Sequence, residues 1–141
     1  MRYSEVLSAA ELIMEANDVP LIVGESGIGK TALAREIANK NDYELITIDA
    51  NLLKEGEIGG LPTVENGKTK YATHTKLAEI QEYTNKNKSV LLFIDELNRC
   101  EHAVQQELMN LILNREINGF ALNDNVKILA AMNPSNKYEN Y

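Results

Sequence analysis

The sequence predicts an α/β fold with a mostly parallel central sheet that is covered by helices on both faces. Short apolar segments alternate along the chain with longer segments whose apolar residues recur at helical spacing. The short segments are continuously apolar instead of alternating between apolar and polar residues, which is typical of strands buried on both faces. Strands that are separated by helices in this way form parallel sheets.

Strands and helices follow one another in a regular order. Four short apolar segments are the predicted strands: 19–23, 45–48, 90–94 and 126–132. Four segments with an apolar stripe at helical spacing are the predicted helices: 4–16, 31–39, 75–85 and 101–114. Residues 50–71 show little periodicity, but they contain Asn66-Gly67, a pair that suits the two positive-φ positions of a type I′ turn. We therefore expect a small hairpin at about 60–71.

Length and composition restrict the class of protein. The 141 residues suffice for one domain, and a hydrophobic fraction of 44% excludes wholesale disorder. No apolar run approaches the roughly 20 residues of a membrane span, so we expect no membrane partner. The single cysteine, Cys100, cannot form an internal disulfide, which favours a reducing, cytoplasmic location. A net charge of −7 argues against sequence-independent binding to nucleic acid, and none is expected as a partner.

Residues 24–31 have the features of a phosphate-binding loop. Their sequence matches the pattern G-x-x-x-x-G-K-[ST] between a predicted strand and a predicted helix: Gly24, Glu25, Ser26, Gly27, Ile28, Gly29, Lys30 and Thr31. Glycines allow successive backbone N–H groups to point into one concavity that holds phosphate oxygens. Lys30 adds a positive charge at the β- and γ-phosphates, and the Thr31 hydroxyl can coordinate Mg²⁺. The segment predicts nucleotide binding, and a purely structural Gly-rich turn is the alternative.

Two acidic residues, Asp95 and Glu96, follow the predicted strand 90–94. In a parallel sheet the carboxyl ends of the strands share one edge, where the phosphate loop also lies. We expect Asp95 to hold Mg²⁺ and Glu96 to orient and deprotonate the water that attacks the γ-phosphate. A dedicated base for water favours ATP hydrolysis over phosphoryl transfer to a metabolite. The alternative is a strand end followed by an acidic helix cap.

Asn133 follows the last predicted strand, and Pro134 comes next. Its side-chain amide can stand between the γ-phosphate and the attacking water. Asn-Pro is also a common turn starter, which would be the better interpretation of the pair in isolation. After a phosphate loop and an acidic pair, however, a catalytic role for Asn133 is favoured.

These segments together resemble the AAA+ ATPases, and within them the MoxR-like and dynein-related branch. Four stretches carry the resemblance: residues 21–31, Phe93 to Arg99, Val104 to Leu108 and Ala131 to Pro134. The resemblance implies the P-loop NTPase three-layer sandwich. It also implies three roles: the Walker A pair for Lys30 and Thr31, Walker B for Asp95 and Glu96, and sensor 1 for Asn133.

The resemblance further implies a homo-oligomer, usually a hexameric ring, that uses ATP and Mg²⁺ to remodel a protein client. The predicted hairpin looks similar to the family's extra hairpin in its second helix, which would contact the client; a plain surface hairpin is an equal alternative. Arg99 is a candidate for the interface with a neighbouring subunit, against an ordinary salt bridge at a helix start.

Several parts of that family's module follow sensor 1, namely the last strand, the arginine finger and the helical lid with its sensor 2 arginine. The eight residues after Asn133 contain no arginine. We therefore expect residues 1–141 to be an incomplete nucleotide-binding subdomain, with strand 21–23 at the edge of its sheet and weak hydrolysis on its own. Two alternative functions stay open: a nucleotide-gated interaction module with little turnover, and a small-molecule P-loop kinase.

Overall fold

Four parallel strands form the central sheet of the part of the chain that the computed structural model describes, residues 2–24 and 29–134. The elements follow in this order: α1 (Tyr3–Glu15), β1 (Leu21–Val23), α2 (Lys30–Asn41), β2 (Glu44–Asp49), a 3₁₀ turn (Ala50–Leu52), β3 (Pro62–Glu65), β4 (Lys68–Tyr71), α3 (Thr75–Asn85), β5 (Val90–Asp95), α4 (His102–Asn114), β6 (Glu116–Ile117), β7 (Phe120–Ala121) and β8 (Val126–Met132). The predicted α/β class is confirmed.

The order of the strands in the sheet is β1-β8-β5-β2, and every neighbouring pair is parallel. Leu21 is in register with Ala130 of β8, and Leu92 of β5 is in register with Ile128. Because the strands run in one direction, the carboxyl ends of β1, β5 and β8 meet at the same edge. The predicted site residues that the structure describes include Lys30, Asp95, Glu96 and Asn133, and these lie at this edge.

The strand β5 supplies side chains to both cores of the molecule. Leu92 belongs to the cluster under α3 and α4, whereas Leu91 and Phe93 belong to the cluster under α1 and α2. All three side chains are fully buried, and burial of an apolar side chain of this size contributes about 1.5–3 kcal/mol to the free energy of unfolding. The sheet is therefore the middle layer of a three-layer sandwich, as predicted.

The predicted hairpin is present as β3 and β4, which pair antiparallel over residues 62–71. Asn66 has a φ of 53° and Gly67 a φ of 75°, as the two central residues of a type I′ turn require. All eight strand residues are exposed, so the hairpin projects from the body of the domain.

A second hairpin, β6 and β7, was not predicted. It is also closed by an Asn-Gly pair in which both residues have positive φ, Asn118 at 47° and Gly119 at 85°. Asn118 Nδ2 donates to the carbonyl oxygen of Gly59 (2.8 Å), and Glu107 Oε1 accepts the N–H of Gly56 (2.9 Å). The second hairpin and α4 thus hold the segment that leads into the first.

The strand β1 is the outer strand of the sheet in the described residues, as expected. Leu21 is 51% exposed and Val23 is 56% exposed, although both belong to a parallel sheet. A groove of about 470 Å³ runs beside β1, and its lining includes Met109 and Leu113. Of the described helices, none is long and apolar enough to cross a membrane.

Candidate nucleotide site

Lys30 lies at the centre of the carboxyl edge of the sheet. It begins α2 directly after Gly29, whose φ of 83° is a conformation that glycine adopts without steric cost. The lysine is only 4% exposed. Its Nζ donates to three oxygens: Gly24 O (2.9 Å), Asn133 Oδ1 (3.1 Å) and Met132 O (3.4 Å). These oxygens belong to neutral carbonyl and amide groups, so they orient the ammonium group without cancelling its charge. The charge therefore stays available for an anionic ligand.

Asn133 connects the lysine with the acidic pair. It is 5% exposed and follows β8 directly. Its Oδ1 accepts from Lys30 Nζ, and its Nδ2 donates to Glu96 Oε2 (2.8 Å). The oxygen of the carboxamide therefore faces the cation and the nitrogen faces the carboxylate, so both ends of the side chain have complementary partners.

Glu96 reaches Asn133 because the backbone turns sharply after β5. Glu96 has a φ of 59°, a left-handed conformation that is uncommon for a residue with a side chain. Two hydrogen bonds hold the turn: Glu96 N donates to Asp95 Oδ1 (2.8 Å), and Leu97 N donates to Ala131 O (3.0 Å). Backbone strain of this kind is found at functional sites where the surrounding structure enforces it.

Asn98 also lies at this edge, and no role was predicted for it. Its side chain makes two hydrogen bonds to the backbone of Asn133: Nδ2 donates to the carbonyl oxygen (2.9 Å), and Oδ1 accepts the N–H (3.1 Å). A hydrogen bond between residues 35 positions apart has no local sequence pattern. The sequence signals were that Asn98 lies two residues after Glu96 and within the stretch Phe93 to Arg99 that carries the family resemblance.

A match to a known family covers most of the chain. Residues 10–141 match the family model described as AAA domain, dynein-related subfamily. The chain belongs to the AAA family of ATPases. The predicted resemblance to the dynein-related branch is therefore confirmed.

Three relatives illustrate how this AAA domain compares with known proteins. BssE of Thauera aromatica, named as a candidate chaperone, is 30% identical over 95 residues, which are 67% of this chain and 32% of BssE. The ATP-dependent zinc metalloprotease FtsH of Marinobacter nauticus is 29% identical over 123 residues, which are 80% of this chain and 17% of FtsH. The solved structure of NtrX from Brucella abortus with ADP has a TM-score of 0.59 at 18% identity and covers 94% of this chain and 29% of that one. The chain thus spans about a third or less of the length of these relatives.

The donor chemistry of this AAA domain fits a magnesium nucleotide. Thr31 lies in the first turn of α2 and Asp95 ends β5, and both are half-buried. A hydroxyl and a carboxylate are the oxygen donors that Mg²⁺ takes from proteins when it obtains its other ligands from phosphates and water. Among the described residues, no group of three His, Cys, Asp or Glu side chains forms a metal site made of protein ligands alone.

The phosphate loop of the AAA domain is described only at its two ends. Gly24 N donates to Met132 O (3.2 Å), which extends the pairing of β1 and β8 by one residue. Four predicted phosphate-binding residues lie outside the described residues, and their role stays a prediction: Glu25, Ser26, Gly27 and Ile28.

The two residues that follow Asn98 are Arg99 and Cys100. Arg99 is exposed, and its backbone N–H donates to Glu96 O (2.9 Å); its interface role stays a prediction. The thiol of Cys100 donates to Leu97 O (3.3 Å), and burial raises its pKa. A raised pKa disfavours the thiolate on which cysteine reactivity depends.

Proposed function

We propose that this AAA domain binds Mg-ATP at Lys30 and hydrolyses it with Glu96 as the general base. The observation that supports the proposal best is the hydrogen-bonded chain Lys30–Asn133–Glu96. It places a buried cation and an acidic side chain on either side of one carboxamide. A cation for the phosphates and a base for the attacking water are two of the groups that the protein supplies for ATP hydrolysis.

Each of these hydrogen-bonded residues has a distinct task in this proposal. Lys30 Nζ binds the β- and γ-phosphates together with backbone N–H groups of the phosphate loop. Glu96 takes the proton of the attacking water while the new bond to phosphorus forms and the bond to ADP breaks. Asn133 Nδ2 fixes the position of the Glu96 carboxylate and orients the water. Thr31 and Asp95 hold Mg²⁺, which neutralises phosphate charge when it is bound.

The replacement Glu96→Gln tests the proposal. It keeps the size and polarity of the side chain but removes the base, so turnover should fall at least about 100-fold while ATP binding is retained or tighter. Phosphate release and calorimetric titration with ATP in the complete natural protein measure the two quantities. Glu101→Gln is the matched control, because Glu101 is an exposed acidic residue at the start of α4 without a side-chain capping bond. Unchanged turnover in Glu96→Gln would reject the assignment.

We further propose that the complete protein forms a ring, usually hexameric in this family, and that it remodels protein clients. Family membership supports the ring, with Arg99 as a candidate interface residue. The names of two relatives, a chaperone and a protease, support a protein client. Light scattering with and without ATP tests assembly, and a mass that stays monomeric under both conditions would contradict the ring.

We assign client contact to the β3–β4 hairpin. Its tip and strands are exposed, and Val64 (75% exposed) and Tyr71 (44% exposed) offer apolar surface. The variant Asn66→Ala/Gly67→Ala places two side chains at positive φ and should disrupt the turn. Basal ATP turnover should stay within about 2-fold, whereas its stimulation by a reduced, unfolded probe protein should be lost. Lys86→Ala, an exposed change at the end of α3, is the control. Normal stimulation in the hairpin variant would show that the hairpin is an ordinary surface feature.

A further inference from the structure

Asn98 uses its whole carboxamide on the backbone of a single residue. Nδ2 donates to Asn133 O (2.9 Å), and Oδ1 accepts from Asn133 N (3.1 Å). Reciprocal bonds of this kind fix the orientation of the amide, because reversing its oxygen and nitrogen would place like groups against each other. Asn133 is buried, so water has little access to its backbone and the two hydrogen bonds from Asn98 have little competition.

The two hydrogen bonds continue the pairing of β5 with β8 beyond the end of the strands. Leu97 N still donates to Ala131 O (3.0 Å), although Glu96 has already turned away in a left-handed conformation. At Asn133, two residues after Ala131 and just past the end of β8, the side chain of Asn98 supplies the donor and the acceptor that a neighbouring strand would otherwise supply. The backbone of Asn133 is therefore paired just beyond the end of its strand.

All four polar groups of Asn133 consequently have a partner. Its N–H and carbonyl oxygen bind Asn98, its Oδ1 binds Lys30, and its Nδ2 binds Glu96. The side chain can bridge Lys30 and Glu96 only if its own backbone stands at the correct place. Asn98 lies two residues from Glu96, so the same short turn that carries the acidic side chain also carries the group that holds Asn133.

We infer that Asn98 is a positioning residue for ATP hydrolysis, which acts by holding the backbone of Asn133 so that its carboxamide stands between Lys30 Nζ and Glu96. The inference rests on the hydrolysis proposed above. Asn98 touches no reacting atom in this scheme and acts through Asn133. Misplacement of a catalytic constellation by about 1 Å can cost about 100-fold in rate, so loss of this contact should be visible in kcat.

The test uses the complete natural protein with the variants Asn98→Ala, Asn98→Asp, Asn133→Ala and the double variant of Asn98→Ala and Asn133→Ala. Asn98→Asp retains one acceptor but sets a second oxygen against Asn133 O, so it should behave like alanine. Both Asn98 variants should lower kcat about 10- to 100-fold and change KM for ATP by less than about 3-fold. The double variant should be no slower than Asn133→Ala, because Asn98 has nothing left to position.

The matched control is Asn123→Ala. It removes one bond from a side chain to the backbone, Asn123 Oδ1 with Asn125 N, before the amino end of β8. That end lies about 20 Å from Asn133 at the rise of a β-strand, so kcat should stay unchanged. Backbone hydrogen exchange gives a readout without turnover: the Asn133 amide should exchange at least about 10-fold faster in Asn98→Ala.

Four results would overturn the inference. If the unmodified protein hydrolyses ATP and Asn98→Ala has the same kcat, Asn98 is not a positioning residue, whereas the proposed function still holds. An equal loss from Asn98→Ala in the wild-type and Asn133→Ala backgrounds, or failure of both Asn98 variants to fold, would show a merely structural role. Absence of hydrolysis in the wild-type protein would instead defeat the proposed function itself and this role with it.

Discussion

Gly60 and Gly56 form a natural pair for measuring how tightly a loop is packed. Both have a φ of 85°, so any other residue at either position would carry the same backbone strain. They differ in the space around them. A Cβ atom at Gly60 would overlap the carbonyl oxygen of Ala72, whereas nothing lies within 4 Å of the same atom at Gly56. Gly60 is therefore required by contact as well as by conformation.

We predict that Gly60→Ala destabilises the protein more than Gly56→Ala does. Gly56→Ala should cost about 1 kcal/mol, from the left-handed conformation alone. Gly60→Ala should cost at least about 1–3 kcal/mol more, because the base of the hairpin must shift. Urea denaturation of both variants measures the difference. Equal losses would show that the base of the hairpin moves without cost.

The residue types of the site were predictable where chemistry fixes both type and spacing. A phosphate loop needs Lys30 after Gly29, and a strand that ends at the same edge needs acidic residues such as Asp95. Asn98 was not predictable, because its role consists of two hydrogen bonds to a residue 35 positions away. The left-handed turn at Glu96 was also absent from the prediction, since neither glycine nor asparagine marks it.

The helix α3 shows how one titratable side chain can control the start of an element. His74 is its N-cap, and Nδ1 accepts the N–H of Lys76 (3.1 Å). Burial lowers the pKa of His74 below its ordinary value of 6.5, and nearby Glu57 acts in the opposite direction. Protonation of Nδ1 removes the acceptor, so the cap exists only in the neutral form.

We predict a loss of stability in mild acid that depends on His74. Because the pKa of His74 is lower in the folded state than in the unfolded state, the unfolded chain binds the proton first as pH falls below about 6.5. The stabilisation is complete above pH 6.5 and is lost as pH falls through the folded pKa, by about 1 kcal/mol for the cap. Asn caps helices without titrating in this range, so His74→Asn should flatten the dependence. Urea denaturation at several pH values measures it, and His102→Asn is the control. An identical acid response in His74→Asn would contradict the prediction.

Long elements were predicted well and very short ones were not. The helix α3 has the predicted bounds, 75–85, because Leu77 and Ile80 give it a clear stripe. The hairpin of β6 and β7 was missed although Asn118-Gly119 resembles the pair in the predicted hairpin. Its strands have only two residues each, too few to show an alternating pattern.

At the scale of the whole molecule, the outer strand is the most exposed part of the sheet. Parallel strands are normally covered on both faces, yet Leu21 and Val23 are more than half exposed. An apolar strand at an edge favours pairing with another chain. Since β1 leads directly into the phosphate loop, such pairing would take place next to the nucleotide site.

We predict that the 141-residue chain self-associates through β1 and that Leu21→Lys weakens this association. A charge on the edge strand opposes strand pairing between molecules. The average mass from light scattering across a concentration series should fall in the variant. Leu12→Lys is the control, because Leu12 is 68% exposed on α1, away from the sheet. An equal fall in both variants would mean that general surface hydrophobicity causes the association.

The hydrogen bonds between Lys30 and the end of β8 also determine when the proposed nucleotide site is complete. The oxygens of Met132 and Asn133 that bind Lys30 Nζ lie 102 and 103 residues later in the chain. Contacts of such long sequence separation form late in folding, because the cost of closing the chain precedes their gain. A chain still emerging from the ribosome therefore has its phosphate loop long before it has the partners that orient Lys30. If Lys30 binds nucleotide as proposed, we expect binding to appear only after β8 has entered the sheet, so it would report the pairing of β8 with β1.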